Sequence, residues 1–279
     1  MNLRLLKLYS KLEMSKTIIV TGSTDGIGKL AAIKLAKDGC TIGIHGRNPQ
    51  KVKDVVEEIK NTTNNDSIKG FVADFSDLEA VKQMIQEVKN EFSKLDVLIN
   101  NAGILKSPVT LNKDGLDIRM VVNYLASYVL TEGLLPLLKK GKKSRLINLS
   151  SAAQASVSHD LLIGRVQRPD MEAYSQSKLA IAMWSMYLAQ QLDNITVIPV
   201  NPGSLLNTNM VREGFGRFWS SADKGGKILY DLAVGERYEG ITGQYFDNDK
   251  GDFGKAHPDA YNPVKIEQLI NMTNDLLNS

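Results

Sequence analysis

The chain is poor in the residues that would give it disulfide or metal chemistry. It has one cysteine, Cys40, in 279 residues. A single cysteine excludes an internal disulfide and any cysteine-based metal cluster. The three histidines, His45, His159 and His257, are too scattered for metal-ligand spacing, so no metal is expected. Aromatic residues make up only 6% and do not interleave with a basic stripe, which argues against a nucleic-acid surface. An excess of one charge is also lacking: 34 Lys and Arg stand against 31 Asp and Glu, a net of +3. No uninterrupted apolar run approaches the ~20 residues that a membrane-spanning helix needs.

What is present is ordinary globular material. Hydrophobic residues are 43% and charged residues 23%, which excludes intrinsic disorder and collagen. The length fits one large α/β domain that can bury a sizeable core. The opening segment, MNLRLLKLYSKLEM, has leucines at 3, 5, 6, 8 and 12 and basic residues at 4, 7 and 11. It lacks the long apolar stretch and small-residue cleavage site of a signal peptide. Residues 1–15 are read as an N-terminal extension, and Met14 as an alternative start. An amphipathic contact of residues 1–13 with a membrane surface is the second reading. The domain is assigned to residues 16–279, and a cytoplasmic location is expected.

From Lys16 onward, short β-rich runs alternate with helical stretches. Strands are predicted at 17–22, 41–46, 68–73, 95–100, 145–150, 195–200 and 243–247. Helices are predicted at 27–39, 49–60, 77–92, about 116–139 and 174–192. Strict alternation predicts a parallel sheet covered on both faces, a doubly wound α/β architecture in order 3-2-1-4-5-6-7.

The stretch Thr21-Gly22-Ser23-Thr24-Asp25-Gly26-Ile27-Gly28 closes the first strand and opens the first helix. That is where a dinucleotide pyrophosphate sits. Gly22 allows the tight turn, Gly26 lets the backbone approach the phosphates, and Gly28 lets helix and strand pack closely. Strand two ends His45-Gly46-Arg47-Asn48, with no acid to bind a ribose 2′-OH. Arg47 offers instead a planar, permanently charged fork suited to a 2′-phosphate.

Further along stand Asp74, Asn100-Asn101-Ala102-Gly103, Asn123, Ser151, Tyr174 with Lys178 four residues on, and Pro202-Gly203. Together with the glycine loop, this ordered set resembles the short-chain dehydrogenases/reductases, from about residue 16 to about 250. The resemblance implies a single Rossmann domain that binds NADP(H) by preference, with NAD(H) as the second choice. It implies cofactor contacts from Gly22, Ser23, Thr24, Gly26, Ile27, Gly28, Arg47, Asp74, Asn101, Ala102, Gly103, Tyr174, Lys178, Pro202 and Gly203. Asp25 departs from the pattern, because many NADP-binding members carry a basic residue in that loop.

The implied reaction is hydride transfer between a carbonyl and an alcohol. Tyr174 and Lys178 share one face of a helix. A neighbouring ammonium is expected to lower the pKa of the tyrosine, making Tyr174 the general acid or base. Ser151 is assigned to the substrate oxygen, with Ser150 as the alternative, and Asn123 to a proton relay through Lys178. A catalytically silent, cofactor-binding regulatory or scaffold protein is the competing reading. Ser151 and Tyr174 lie 23 apart, a longer spacing than in many members. The insert around Gln154 to Pro169 is similar to that of the retinol dehydrogenases and the WW-domain oxidoreductase, and is expected to border the substrate mouth. The stretch from Leu205 to Asp223 is rich in bulky apolar residues and holds Gly214 and Gly216. It is read as a mobile lid over an apolar small-molecule substrate, or alternatively as helices packed on the core. Family members often pair into homo-oligomers.

Overall fold

The structure is a computed structural model and describes residues 15–278. The expectation for residues 1–13 lies outside the described residues. Strands β1 (Thr17–Val20), β2 (Thr41–Gly46), β3 (Ile68–Val72), β4 (Val97–Asn100), β5 (Ser144–Leu149), β6 (Ile195–Asn201) and β7 (Tyr245–Asp247) pair in parallel. The sheet order is β3-β2-β1-β4-β5-β6-β7, and an eighth strand, β8 (Asp252–Gly254), adds antiparallel to β7. The parallel order is the one the alternation predicts, and β8 is an addition to it. The domain is the single Rossmann-type sheet that the motif set implies.

Strand alternation sorts the core into two layers. Ile19 and Leu98 point to one face, while Ile18, Val20, Val97 and Ile99 point to the other. The first layer is covered by α3 (Leu78–Glu91), α4 (Ile118–Leu138), α6 (Asp170–Gln191) and α9 (Pro263–Asn278). The second is covered by α1 (Gly26–Lys37), α2 (Pro49–Thr63) and α8 (Ala222–Val234). Side chains cap the helix starts: Asp25 accepts from Gly26 N, Asn48 from Lys51 N ahead of Pro49, and Asp77 from Glu79 N. Each cap satisfies a backbone donor that the first turn leaves unpaired. Among the described residues two short α-helices remain, α5 (His159–Leu162) and α7 (Asn209–Phe215).

Helix α4 is long and apolar enough to cross a membrane by length and composition, but 72% of its apolar window is buried inside the fold. It is a core helix. Its ladder widens into a π-turn over Val121–Leu125, centred on Asn123. Helix α6 begins at Asp170, a turn earlier than its spacing predicts, so Tyr174 lies inside a formed helix rather than at its start.

Candidate active site

A cavity of about 550 Å³ opens at the carboxyl ends of β1, β2, β4, β5 and β6. That is the crevice where strand order reverses between β1 and β4, the usual ligand position of an open α/β sheet. Its walls include Gly22, Thr24, Gly26, Ile27, Arg47, Asp74, Ala102, Gly103, Ser151, Tyr174, Lys178, Pro202 and Gly203. The sequence motifs, dispersed over most of the chain, therefore converge on one cleft.

The glycine loop is held from three sides. Gly22 adopts φ +60°, and a Cβ there would come within 2.8 Å of the Ala102 backbone, so only glycine fits. Asn101 donates from its side chain to Thr21 O at 2.7 Å and Gly22 O at 3.0 Å. The Gly22 amide in turn donates to His45 Nδ1 at 3.0 Å. Ser23 is buried; its hydroxyl donates to Val20 O at 2.6 Å and accepts from His45 N at 3.0 Å. Its side chain thus braces β1 against β2. Gly28 does not line the cavity either: a side chain there would strike Asn101 and Gly22 O.

Two cations flank the end of β2. Arg47 and Lys51 both line the cleft. Lys51 lies 3.5 Å from the Asp25 carboxylate, which also accepts from Asn209 Nδ2 at 2.6 Å. The Asp25 carboxyl is held below its usual range by hydrogen bonds from Gly26, Lys51 and Asn209, which outweigh the opposing effect of burial. Asp74 faces the cleft, with its carboxylate capping Ser76 N and Oγ at 2.9 and 2.8 Å.

The opposite wall brings Ser151, Tyr174 and Lys178 together, with Asn123 buried behind it. Lys178 is buried, and its Nζ donates to Leu149 O at 2.9 Å and lies 5.7 Å from the Tyr174 ring centre. Burial pulls its pKa down to about 8. Asn123 sits behind Gly103: its Oδ1 accepts from Ile104 N at 2.7 Å, and its Nδ2 donates to Ile104 O and Ser177 Oγ at 3.0 and 2.9 Å. A Cβ on Gly103 would lie 3.2 Å from both Asn123 Oδ1 and Lys178 Nζ. Ser151 lies beside Tyr174 on this wall, and its hydroxyl acts to lower the tyrosine's pKa. Ser150 is buried, and its hydroxyl donates to Lys178 O at 2.6 Å.

One electrostatic expectation is corrected. Burial raises the Tyr174 phenol above its ordinary value of 10.0, against the opposing influence of the Ser151 hydroxyl. The ammonium does not lower it here, because Lys178 is turned to a backbone carbonyl and is itself destabilised as a cation by burial. A second correction concerns the insert. Residues 152–169 do not line the cavity. The insert docks instead on the 257–259 turn and on α6: Gln154 accepts from His257 N at 2.8 Å, Ser156 donates to Asp259 at 2.7 Å, and Gln176 accepts from Ser158 N at 2.8 Å. His159 is exposed and lies outside the cleft.

The segment after Pro202-Gly203 divides its roles. Leu206 is buried and α8 packs on α1, whereas no residue of α7 is buried. Thr208, Asn209, Met210, Val211 and Glu213 nevertheless border the cavity. Sequence reasoning missed the supports on β7 and just past it. Tyr245 donates to Ser151 O at 2.9 Å, Asn248 donates to Pro202 O at 2.8 Å, and Asp249 accepts from Ser204 N at 2.8 Å. The only sequence signal for them was their position at the end of the last parallel strand. Among the described residues no group of His, Cys, Asp and Glu is placed to hold a metal.

This geometry matches a known family. The short chain dehydrogenase family model matches residues 16–216, and the chain belongs to that family. It is therefore an oxidoreductase of CH–OH and C=O groups. The chain is 32% identical to mouse retinol dehydrogenase 13 over 83% of its own length and 75% of the relative's. It is also 32% identical to human polyprenol dehydrogenase, over 91% and 82%. Among solved structures, a short chain dehydrogenase from Shigella flexneri complexed with NADP superposes with a TM-score of 0.67 and 29% identity, covering 84% of this chain and 97% of that one. One from Escherichia coli complexed with NADPH gives 0.69 and 28%, covering 84% and 96%.

Proposed function

We propose that the chain is an NADP(H)-dependent oxidoreductase that interconverts an apolar carbonyl and its alcohol, with Tyr174 as the general acid and base. The observation that carries this reading is the meeting of Ser151, Tyr174 and Lys178 on one wall of the cleft whose other wall is the glycine loop, with Asn123 buried behind them. A nicotinamide dinucleotide fits the residues present. The glycine loop and the start of α1 suit a pyrophosphate, and the space left by the missing Cβ of Gly103 opens beside Lys178. Arg47 and Lys51 supply positive charge for a 2′-phosphate, and no acid stands at the end of β2. The NADP and NADPH complexes of the structural relatives favour the same choice.

When bound, the cofactor supplies or accepts the hydride. Ser151 donates a hydrogen bond to the substrate oxygen and holds its developing charge. Tyr174 gives that oxygen its proton in reduction and removes it in oxidation. Lys178, poised near pKa 8, exchanges the proton with Tyr174 and also binds the ribose hydroxyls. Asn123 fixes the Ile104 backbone and so the floor under Lys178. The relatives named for retinol and polyprenol, both apolar alcohols, support an apolar substrate. The test is NADPH oxidation over a panel of aldehydes and ketones. Turnover on apolar carbonyls is expected. Tight NADPH binding with no turnover of any member would favour the cofactor-sensing reading instead.

A further inference from the structure

The loop that borders the cavity mouth exposes an unusual set of side chains. It leaves the fold at Leu205 and returns at Trp219, where Trp219 N donates to Leu205 O at 2.9 Å and Asn207 N to Ser220 O at 2.8 Å. This base is anchored by buried Leu206. Between the two ends, Phe215 is 43% exposed and Phe218 48%, and Trp219 at the return is 70% exposed. Trp219 is the most open of the large apolar side chains among the described residues. Arg212 lies over the Phe218 ring at 5.7 Å, and Arg217 over the Trp219 ring at 5.6 Å. Neither arginine has an acidic partner among the described residues. In water, large exposed aromatics are unfavourable, and such patches mark contact sites.

We propose that this loop is a docking surface for an anionic lipid membrane. Trp and Phe bodies with guanidinium heads are the chemistry of the interfacial layer, where rings sit at headgroup depth and cations meet lipid phosphates. The two arginines, neither neutralised by a carboxylate among the described residues, are the charge complement of such a surface, and Arg212 Nε is steadied by Asn207 Oδ1 at 2.9 Å. Stacking over the rings holds both cations beside the groups that would insert. A loop tip with no buried residue, hinged by Gly216 at φ +68°, can press into a soft interface without disturbing the core. Met210 and Val211 of the same loop line the cavity, so docking here sets the cavity mouth against the bilayer. The inference concerns the surface and does not depend on which carbonyl is turned over.

Trp219 is its own reporter, because the second tryptophan, Trp184, is fully buried. The full chain is mixed with phosphatidylcholine vesicles, with and without phosphatidylserine, and with brominated acyl chains. With the anionic vesicles, Trp219 emission should shift to the blue and be quenched by the brominated lipid. Replacing both arginines, Arg212→Gln with Arg217→Gln, should lower the vesicle-bound fraction by about tenfold or more, given the usual attraction of each cation to an anionic leaflet. Trp219 that stays unquenched overturns the proposal, even if the chain pellets with vesicles, since binding would then run through another segment. Quenching that is equal on neutral vesicles and unchanged in the arginine variant overturns it as well.

Discussion

The Gly22 amide donates to Nδ1 of His45 at 3.0 Å, so the glycine loop hangs from a buried imidazole at the end of the neighbouring strand. The ring's Nε2 sits 3.0 Å from Ala73 O, and its face stacks on Phe75 at 4.2 Å. Accepting at Nδ1 and donating at Nε2 requires the neutral ring. Burial accordingly pulls its pKa from 6.5 down to about 4, although the Ala73 bond and the Asp74 charge oppose the fall.

That shift predicts an acid sensitivity. Below pH 6.5 the unfolded chain takes up a proton at this ring, but the folded chain does so only near 4. The unfolded state then binds more protons, so stability falls as pH drops through that window. His45→Phe keeps the stack and cannot titrate. It should flatten this part of the profile of melting temperature against pH. It should also lower stability at neutral pH, because the Gly22 amide loses its partner, by about 1–3 kcal/mol for a buried group. An unchanged profile would assign the acid sensitivity elsewhere.

Cofactor choice is expected to rest on Arg47. Arg47→Asp should weaken NADPH by about 1–3 kcal/mol, the scale of a hydrogen bond to a charged group, and leave NADH little changed. Calorimetry with both cofactors reads this directly. Equal losses for the two would remove Arg47 from the 2′-phosphate.

Asp25 is expected to oppose that preference through its charge. It sits among the groups that line the same end of the cleft and engages Lys51 and Asn209. Asp25→Asn keeps an oxygen for the cap of α1 and frees Lys51. NADPH should bind more tightly, by at most about fivefold for an exposed pair, while the melting temperature holds. Looser NADPH binding would show that the carboxylate's link to Asn209 matters more than its charge.

A buried ionic cluster supports the start of α6, the helix that carries Tyr174 and Lys178. Arg119 is fully buried and bonds Asp117 at 2.6 and 3.0 Å and Asp170 at 2.7 Å. Asp170 opens α6, one turn before Tyr174, and also meets Lys106 at 3.1 Å. Arg119→Met strands the buried Asp117 carboxylate and should cost about 3–5 kcal/mol in denaturant unfolding. A loss under about 1 kcal/mol would mean that the site relaxes and lets water in.

The parts of this molecule legible in the sequence are those written in local chemistry. Runs such as TIIV and TIGIHG announce buried strands, and a strand that ends in TGSTDGIG announces its turn. Tyr174 and Lys178 are legible because one helix turn joins them. What was not legible depends on long-range contacts. β8 is three residues long and has no periodicity of its own. The insert's docking on the 257–259 turn rests on hydrogen bonds between residues 103 positions apart. That His45 faces Gly22 was not legible either, since nothing in its sequence neighbours shows it. The direction of the Tyr174 shift needed burial, which the residue spacing does not contain.

The central claim is that Tyr174 moves the proton while the rest of the cleft binds the cofactor. Tyr174→Phe separates the two, because the ring stays and only the hydroxyl leaves. NADPH affinity and turnover of the best carbonyl found should be measured on the same preparation. The account predicts an NADPH dissociation constant within about twofold of the parent and turnover lower by roughly 10² to 10⁴. Turnover that survives at more than a few per cent of the parent, with binding intact, would contradict it.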